Sequence, residues 1–128
     1  MTINDNNFLS KIILKCNQFI NQIDFVYADY QTISLNYGTT SFITQYTIDL
    51  VNKEIVSIGH WSAGVIDMLE FCTRDLTTRA VTCTKGCVQV IPNKIYQIFD
   101  FYEIVAFTGD WGAANALTTF GIKYIVIL

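Results

Sequence analysis

The sequence predicts an α+β domain, and three observations predict it. The first 23 residues carry an apolar stripe at helical spacing. The middle of the chain alternates apolar and polar residues at period two. After Pro92, the chain's one proline, helical spacing returns, and a mostly apolar run closes the chain. The 128 residues suit one domain, 1–128. No repeat, low-complexity tract or linker divides them.

The N-terminal helix rests on Phe8, Ile12, Cys16, Phe19 and Ile23, spaced three to four apart, with Leu9, Ile13 and Ile20 beside them. Asn6 or Asn7 suits its N-cap, and Lys11, Lys15, Asn17 and Gln22 its wet side. A stripe this wide lies flat on a sheet.

An antiparallel meander follows. Its first strand is Phe25–Leu35, closed by Asn36-Tyr-Gly38. Phe42, Thr44, Tyr46, Ile48 and Leu50 alternate with their neighbours. Asn52-Lys53 is the hairpin turn and Glu54–Ile58 the return strand. Val65–Thr73 comes next, and over 63–73 Val65, Met68, Leu69 and Cys72 also fit a helix, so strand and helix both stand. A turn at Arg74–Thr78 leads to a strand at Ala80–Cys83. Thr84-Lys-Gly86 turns into Cys87–Ile91.

Pro92 then opens a helix whose face is Ile91, Ile95, Ile98, Tyr102 and Val105. Gly109 ends it. Asp110 caps a short helix, Trp111–Phe120, which Gly121 terminates. Ile122–Leu128 is mostly apolar on both faces and is expected inside the sheet.

Apolar residues make up 52% and charged residues 15% of the chain, which argues against disorder. No uninterrupted apolar run, Ile125–Leu128 included, comes near the ~18 residues that span a bilayer. The start has acid and amides where a signal peptide carries basic residues. The expected compartment is therefore the cytoplasm, with Cys16, Cys72, Cys83 and Cys87 as reduced thiols. A net charge of −3 and a pI near 4.8 disfavour nucleic acid and suit a basic protein partner.

GHWSAG, residues 59–64, holds the single histidine, His60, two residues before Ser62. It is not a nucleophile elbow, which reads G-x-S-x-G, because the preceding glycine stands one residue too far off. Turn chemistry explains it better: Gly59 lets a bulky group pass over the strand and Trp61 packs. Cys83-Thr-Lys-Gly-Cys87 gives one cysteine pair, not the four ligands of a zinc site, nor the two-residue gap of a redox pair. Asp67 with Glu70, or Asp100 with Glu103, reads as a solvated face. No enzyme, cofactor or metal site is expected.

One stretch reads as an interaction surface. Tyr96–Glu103 and Thr108–Trp111 mix acids with aromatics, the composition of interface centres facing a basic partner. The same aromatics also suit a core.

An acidic single-domain chain rich in Asn, Ile, Phe and Tyr, with no catalytic motif, resembles small bacterial immunity proteins of contact-dependent growth inhibition and polymorphic toxin systems. That resemblance implies a non-enzymatic antitoxin that covers the active site of a cognate, basic, nuclease-type toxin domain. Asp100, Glu103, Asp110 and Trp111 are the expected contacts. The competing expectation is an apolar ligand pocket, or an enzyme, in a domain similar to the nuclear-transport-factor or cystatin-like group. Its base would be His60, Asp49, Asp67 or Glu70.

Overall fold

The structure, a computed structural model, describes residues 8–16, 20–36, 44–62, 65–87, 89–98, 102–111 and 117–126. The α+β expectation is wrong: the protein is all-β, with ten strands and no helix among the described residues. The strands are β1 (Leu9–Cys16), β2 (Ile20–Tyr27), β3 (Thr32–Asn36), β4 (Thr44–Asp49), β5 (Lys53–Ser62), β6 (Ile66–Asp75), β7 (Val81–Cys87), β8 (Lys94–Gln97), β9 (Tyr102–Trp111) and β10 (Leu117–Val126). They form three antiparallel sheets. Sheet I has the order β3-β2-β1-β4, sheet II is the pair β10-β9, and sheet III has the order β7-β6-β5-β8.

The N-terminal helix is instead the β1–β2 pair. A spacing of four residues keeps side chains on one face in a helix and in a strand alike. Ile12 and Cys16 therefore fit both periods. The intervening Leu14 decides: it is buried with them, while Lys11 is exposed and Ile13 and Lys15 are half-buried. Ile12, Ile13, Ile20 and Ile23 also favour the extended backbone, as β-branched residues do.

Of the stretch 63–73, Ile66–Thr73 resolves as strand within β6, Val65 just precedes it, and residues 63–64 lie outside the described set. The helix after Pro92 is instead β8 and the start of β9. The ends of the predicted Trp111–Phe120 helix lie in β9 and β10, with residues 112–116 outside the described set. Gly109 and Gly121 sit within strands, not at helix ends. The C-terminal strand is real, but among the described residues it pairs with β9 alone. Tyr124, Ile125 and Val126 there are about half exposed, so it is not interior.

The meander also differs in its connections. Phe25–Leu35 is split between β2 and β3 by a turn at 28–31, and Thr84–Gly86 continues β7 without turning. Asn52 does sit at a turn, with φ 57°. Yet β5 does not return along β4. β4 pairs with β1, and after Asn52 the chain crosses to sheet III, where β5 pairs with β6 and β8.

A row of phenylalanines joins the sheets. Phe25 of sheet I stacks on Phe107 of sheet II at 5.1 Å between ring centres. Phe107 stacks on Phe120 at 5.9 Å, and Phe120 meets the Phe71 ring of sheet III edge-on at 6.4 Å. All four are buried, with Ile12, Leu14, Ile23, Ile58, Leu69 and Leu117 packed in the same core. Each such side chain contributes about 1.5–3 kcal/mol by leaving water.

All four cysteines pair, against the expectation of free thiols. Cys16–Cys87 ties β1 to β7 across two sheets, and Cys72–Cys83 ties the neighbouring strands β6 and β7. Spacing along the chain could not show this, because neither bridge joins the pair that sequence proximity suggested.

Candidate functional site

Three short turns gather at one end of the molecule. The register places them there: Leu9 at the start of β1 faces Tyr27, the last residue before the turn at 28–31, and Lys11 faces Asp49, just before the turn at 50–52. The third turn, at 76–79, joins β6 to β7. Backbone bonds tie the first two turns to the start of β1 and the residue before it, and the third turn to the second. Ala28 N–H donates to Phe8 C=O at 2.9 Å, Leu50 N–H to Ser10 C=O at 2.8 Å, and Leu76 N–H to Asn52 C=O at 3.0 Å. The Asn52 amide also donates to the Thr77 hydroxyl at 2.8 Å.

Each turn is built alike. An aspartate at its start accepts a backbone N–H two residues on: Asp29 from Gln31 at 3.0 Å, Asp49 from Val51 at 3.1 Å, and Asp75 from Thr77 at 2.8 Å. Aspartate is a turn residue for this reason. Each turn also contains one residue at positive φ: Tyr30 (67°), Asn52 (57°) and Arg79 (68°). Asp75 is held most firmly, because Thr78 N–H binds the same oxygen at 2.9 Å. The backbone bonds from Thr78 and Thr77 pull its carboxyl below the ordinary range.

With the turn backbones tied inward, large apolar side chains point out. Tyr30 is 88% exposed, and Phe8, Val51, Leu76 and Val81 are each about half exposed. Asp29, Gln31, Asn52, Thr77 and Arg79 on the same turns are exposed as well. The result is an apolar, aromatic-tipped end fringed by hydrogen-bonding groups.

The residues singled out from sequence lie elsewhere. Asp100 is outside the described residues. Glu103 lies on β9 opposite Ile125. Asp110 is exposed and accepts the Thr119 hydroxyl at 2.7 Å. Its neighbour Trp111 is half-buried and packs on the core, as adjacent strand residues on opposite faces do.

His60 is buried beside Tyr96, 6.0 Å between ring centres, and its Nδ1 has no hydrogen-bond partner among the described residues. Burial, and then the Lys94 charge, push its pKa below the ordinary value. Asn93 clasps the Ser62 backbone, donating to its C=O at 3.0 Å and accepting its N–H at 3.3 Å, and the Pro92 ring covers Gly59. Asp49 serves its turn. Asp67 is half-buried, its Oδ1 buried without a hydrogen-bond partner among the described residues and its carboxyl pushed up by burial. Glu70 stands beside Lys85, 4.0 Å away.

Sequence reading missed the turn end. A signal was present: Asp29-Tyr30, Asp49-Leu-Val-Asn52 and Asp75-Leu-Thr-Thr78 each put aspartate at a strand end followed by an apolar residue. Only the fold shows that these three meet.

No family model and no curated protein matches the chain. Among solved structures it is similar to PirB, with a TM-score of 0.72 and 15% identity, covering 95% of this chain and 30% of that one. The chain thus spans under a third of PirB. It is also similar to a mannose-binding jacalin-related lectin from Ananas comosus, with a TM-score of 0.59 and 20% identity, covering 92% of this chain and 82% of the lectin. The fold is therefore that of a jacalin-like β-prism. Neither neighbour bears on a toxin partner, and no helix among the described residues is long and apolar enough to cross a membrane.

Proposed function

We propose that this domain is a non-catalytic recognition module that binds a glycan, mannose-terminated in the first instance, at its turn-bearing end. The observation that carries the reading is Tyr30. A tyrosine 88% exposed on a turn pinned by Asp29 offers a flat apolar face for the C–H side of a sugar ring. Asn52, Thr77 and Arg79 offer donors and acceptors for hydroxyls nearby. The likeness to a mannose-binding lectin over 92% of the chain supports the ligand class.

The non-enzymatic character expected from sequence is kept in this proposal, and the ligand changes from a basic toxin domain to a carbohydrate. Two disulfides fit an oxidising compartment, so we place the domain outside the cytoplasm.

Calorimetric titration with mannose-, galactose- and N-acetylglucosamine-terminated oligosaccharides tests the reading. Saturable binding of the mannose series, weakened roughly tenfold (~1.4 kcal/mol) by Tyr30→Ala, is expected. Absence of binding across the panel, or binding indifferent to Tyr30, overturns it.

A further inference from the structure

We propose that reduction of the Cys72–Cys83 disulfide creates a zinc site from the two freed thiolates and the Glu70 carboxylate. The inference does not depend on the glycan reading.

The ligands are already assembled. Cys72 on β6 and Cys83 on β7 face each other directly, with Cα atoms 4.0 Å apart. Glu70 lies two residues before Cys72, so it shares that face of the sheet. Its Oε1 is 3.7 Å from Cys72 Sγ, and the donor atoms of all three residues lie within 4.8 Å of one another. A tetrahedral zinc with Zn–S near 2.3 Å and Zn–O near 2.0–2.2 Å wants its ligand atoms about 3.5–3.8 Å apart. Once the sulfurs are no longer bonded, small side-chain rotations reach that spacing. Water completes the fourth position.

Opening the bridge leaves the scaffold in place. The hairpin β6–β7 is paired from Met68–Cys87 through Arg74–Val81, so its backbone holds Cys72 and Cys83 together without the covalent bond. The two disulfides are unequal. Cys72–Cys83 spans 11 residues and has an exposed sulfur-bearing partner in Cys83. Cys16–Cys87 spans 71 residues and starts from a fully buried Cys16. The longer loop constrains the unfolded chain more, and the buried bridge is harder to reach.

The chemistry balances with a dithiol as reductant. Its thiolate attacks Cys83 Sγ, the Sγ–Sγ bond breaks, and Cys72 leaves as a thiolate that takes up a proton. The reductant's second thiol then displaces Cys83 and departs as a cyclic disulfide. Zinc binding releases two thiol protons as two Zn–S bonds form. Lys85 opposes it: it faces Glu70 across the hairpin, its Nζ 4.0 Å from Oε2, and competes for the carboxylate.

The test treats the whole chain with limiting dithiothreitol and maps the opened cysteines by alkylation and mass spectrometry. Cobalt(II) is then titrated in as a spectroscopic probe of the zinc site. Cys72 and Cys83 are expected to alkylate first. One cobalt should bind with a thiolate-to-metal charge-transfer band, which zinc abolishes by displacement. Cys83→Ala should lose the band. Glu70→Ala should weaken binding at least about tenfold, and Lys85→Ala should tighten it, with circular dichroism confirming the fold of each variant. Opening of Cys16–Cys87 first, no charge-transfer band in protein reduced at Cys72 and Cys83, or Glu70→Ala binding as tightly as the parent overturns the proposal.

Discussion

Gly86 of β7 lies directly against Leu14 of β1. A Cβ placed on Gly86 would stand 3.1 Å from Leu14 Cβ and 3.2 Å from its Cγ, and nearer still to a methyl group. This contact brings sheet III onto sheet I, one residue from where Cys16–Cys87 joins them. Interiors at this density resist even one added carbon. Gly86→Ala should therefore lower stability by about 1–3 kcal/mol. Adding Leu14→Ala should cost less in that background than in the parent, because the two residues share one space. Denaturant midpoints of the four proteins read the coupling, and strictly additive losses would show that the contact is not shared.

Phe107 is the middle of the aromatic row, stacked on Phe25 and on Phe120. Phe107→Ala should cost about 3–5 kcal/mol, since it removes buried area and both ring contacts. Phe107→Leu should recover a good part. Chemical unfolding measures both, and a loss under 1 kcal/mol for the alanine variant would mean that the sheets do not meet through this row.

Asp24 of β2 is buried, paired with Lys15 at 2.8 Å and bonded by Ser34 at 2.6 Å and Gln22 at 2.7 Å. Burial alone raises its pKa, but the three hydrogen bonds and the Lys15 charge together outweigh it, and the net shift is downward from 3.8. A carboxyl depressed in the folded state stabilises above its unfolded value, and that contribution fades as pH falls through the folded value. Asp24→Asn should thus lose about 1–3 kcal/mol at pH 7 and little in strong acid. Thermal unfolding at both ends of that range decides it.

Asp67 has the opposite sign. Burial raises its pKa, so its contribution is present below 3.8 and lost as pH rises through the folded value. At neutral pH a charged carboxylate there is unfavourable, with Oδ1 lacking a hydrogen-bond partner among the described residues. Asp67→Asn should raise the melting temperature at pH 7, and the gain should shrink on acidification. A lower melting temperature at pH 7 would reveal a partner for Asp67.

The period-two pattern of the middle of the chain was legible. Ile48 and Leu50 are buried and Gln45, Thr47 and Asp49 exposed, as alternation requires. The first 23 residues were not, because Ile12 and Cys16 satisfy both periods and only tertiary burial of Leu14 separates them. Strand partners were also hidden. Nothing local says that Asn52 sends the chain to another sheet, since short turns look alike whether strands return or cross. The turn end was missed for the same reason: Asp29, Asp49 and Asp75 are ordinary turn aspartates one at a time. The disulfides depended on those same unknown partners, and an assumed reducing compartment turned the reading away from them.

Backbone amide shifts, followed by NMR as the glycan is titrated in, test the central claim most directly. The account predicts shifts concentrated in Asp29–Gln31, Leu50–Asn52 and Leu76–Arg79, and their loss in Tyr30→Ala. Shifts confined to Asp110 and Trp111 on β9, or no shifts at saturating glycan, would contradict it.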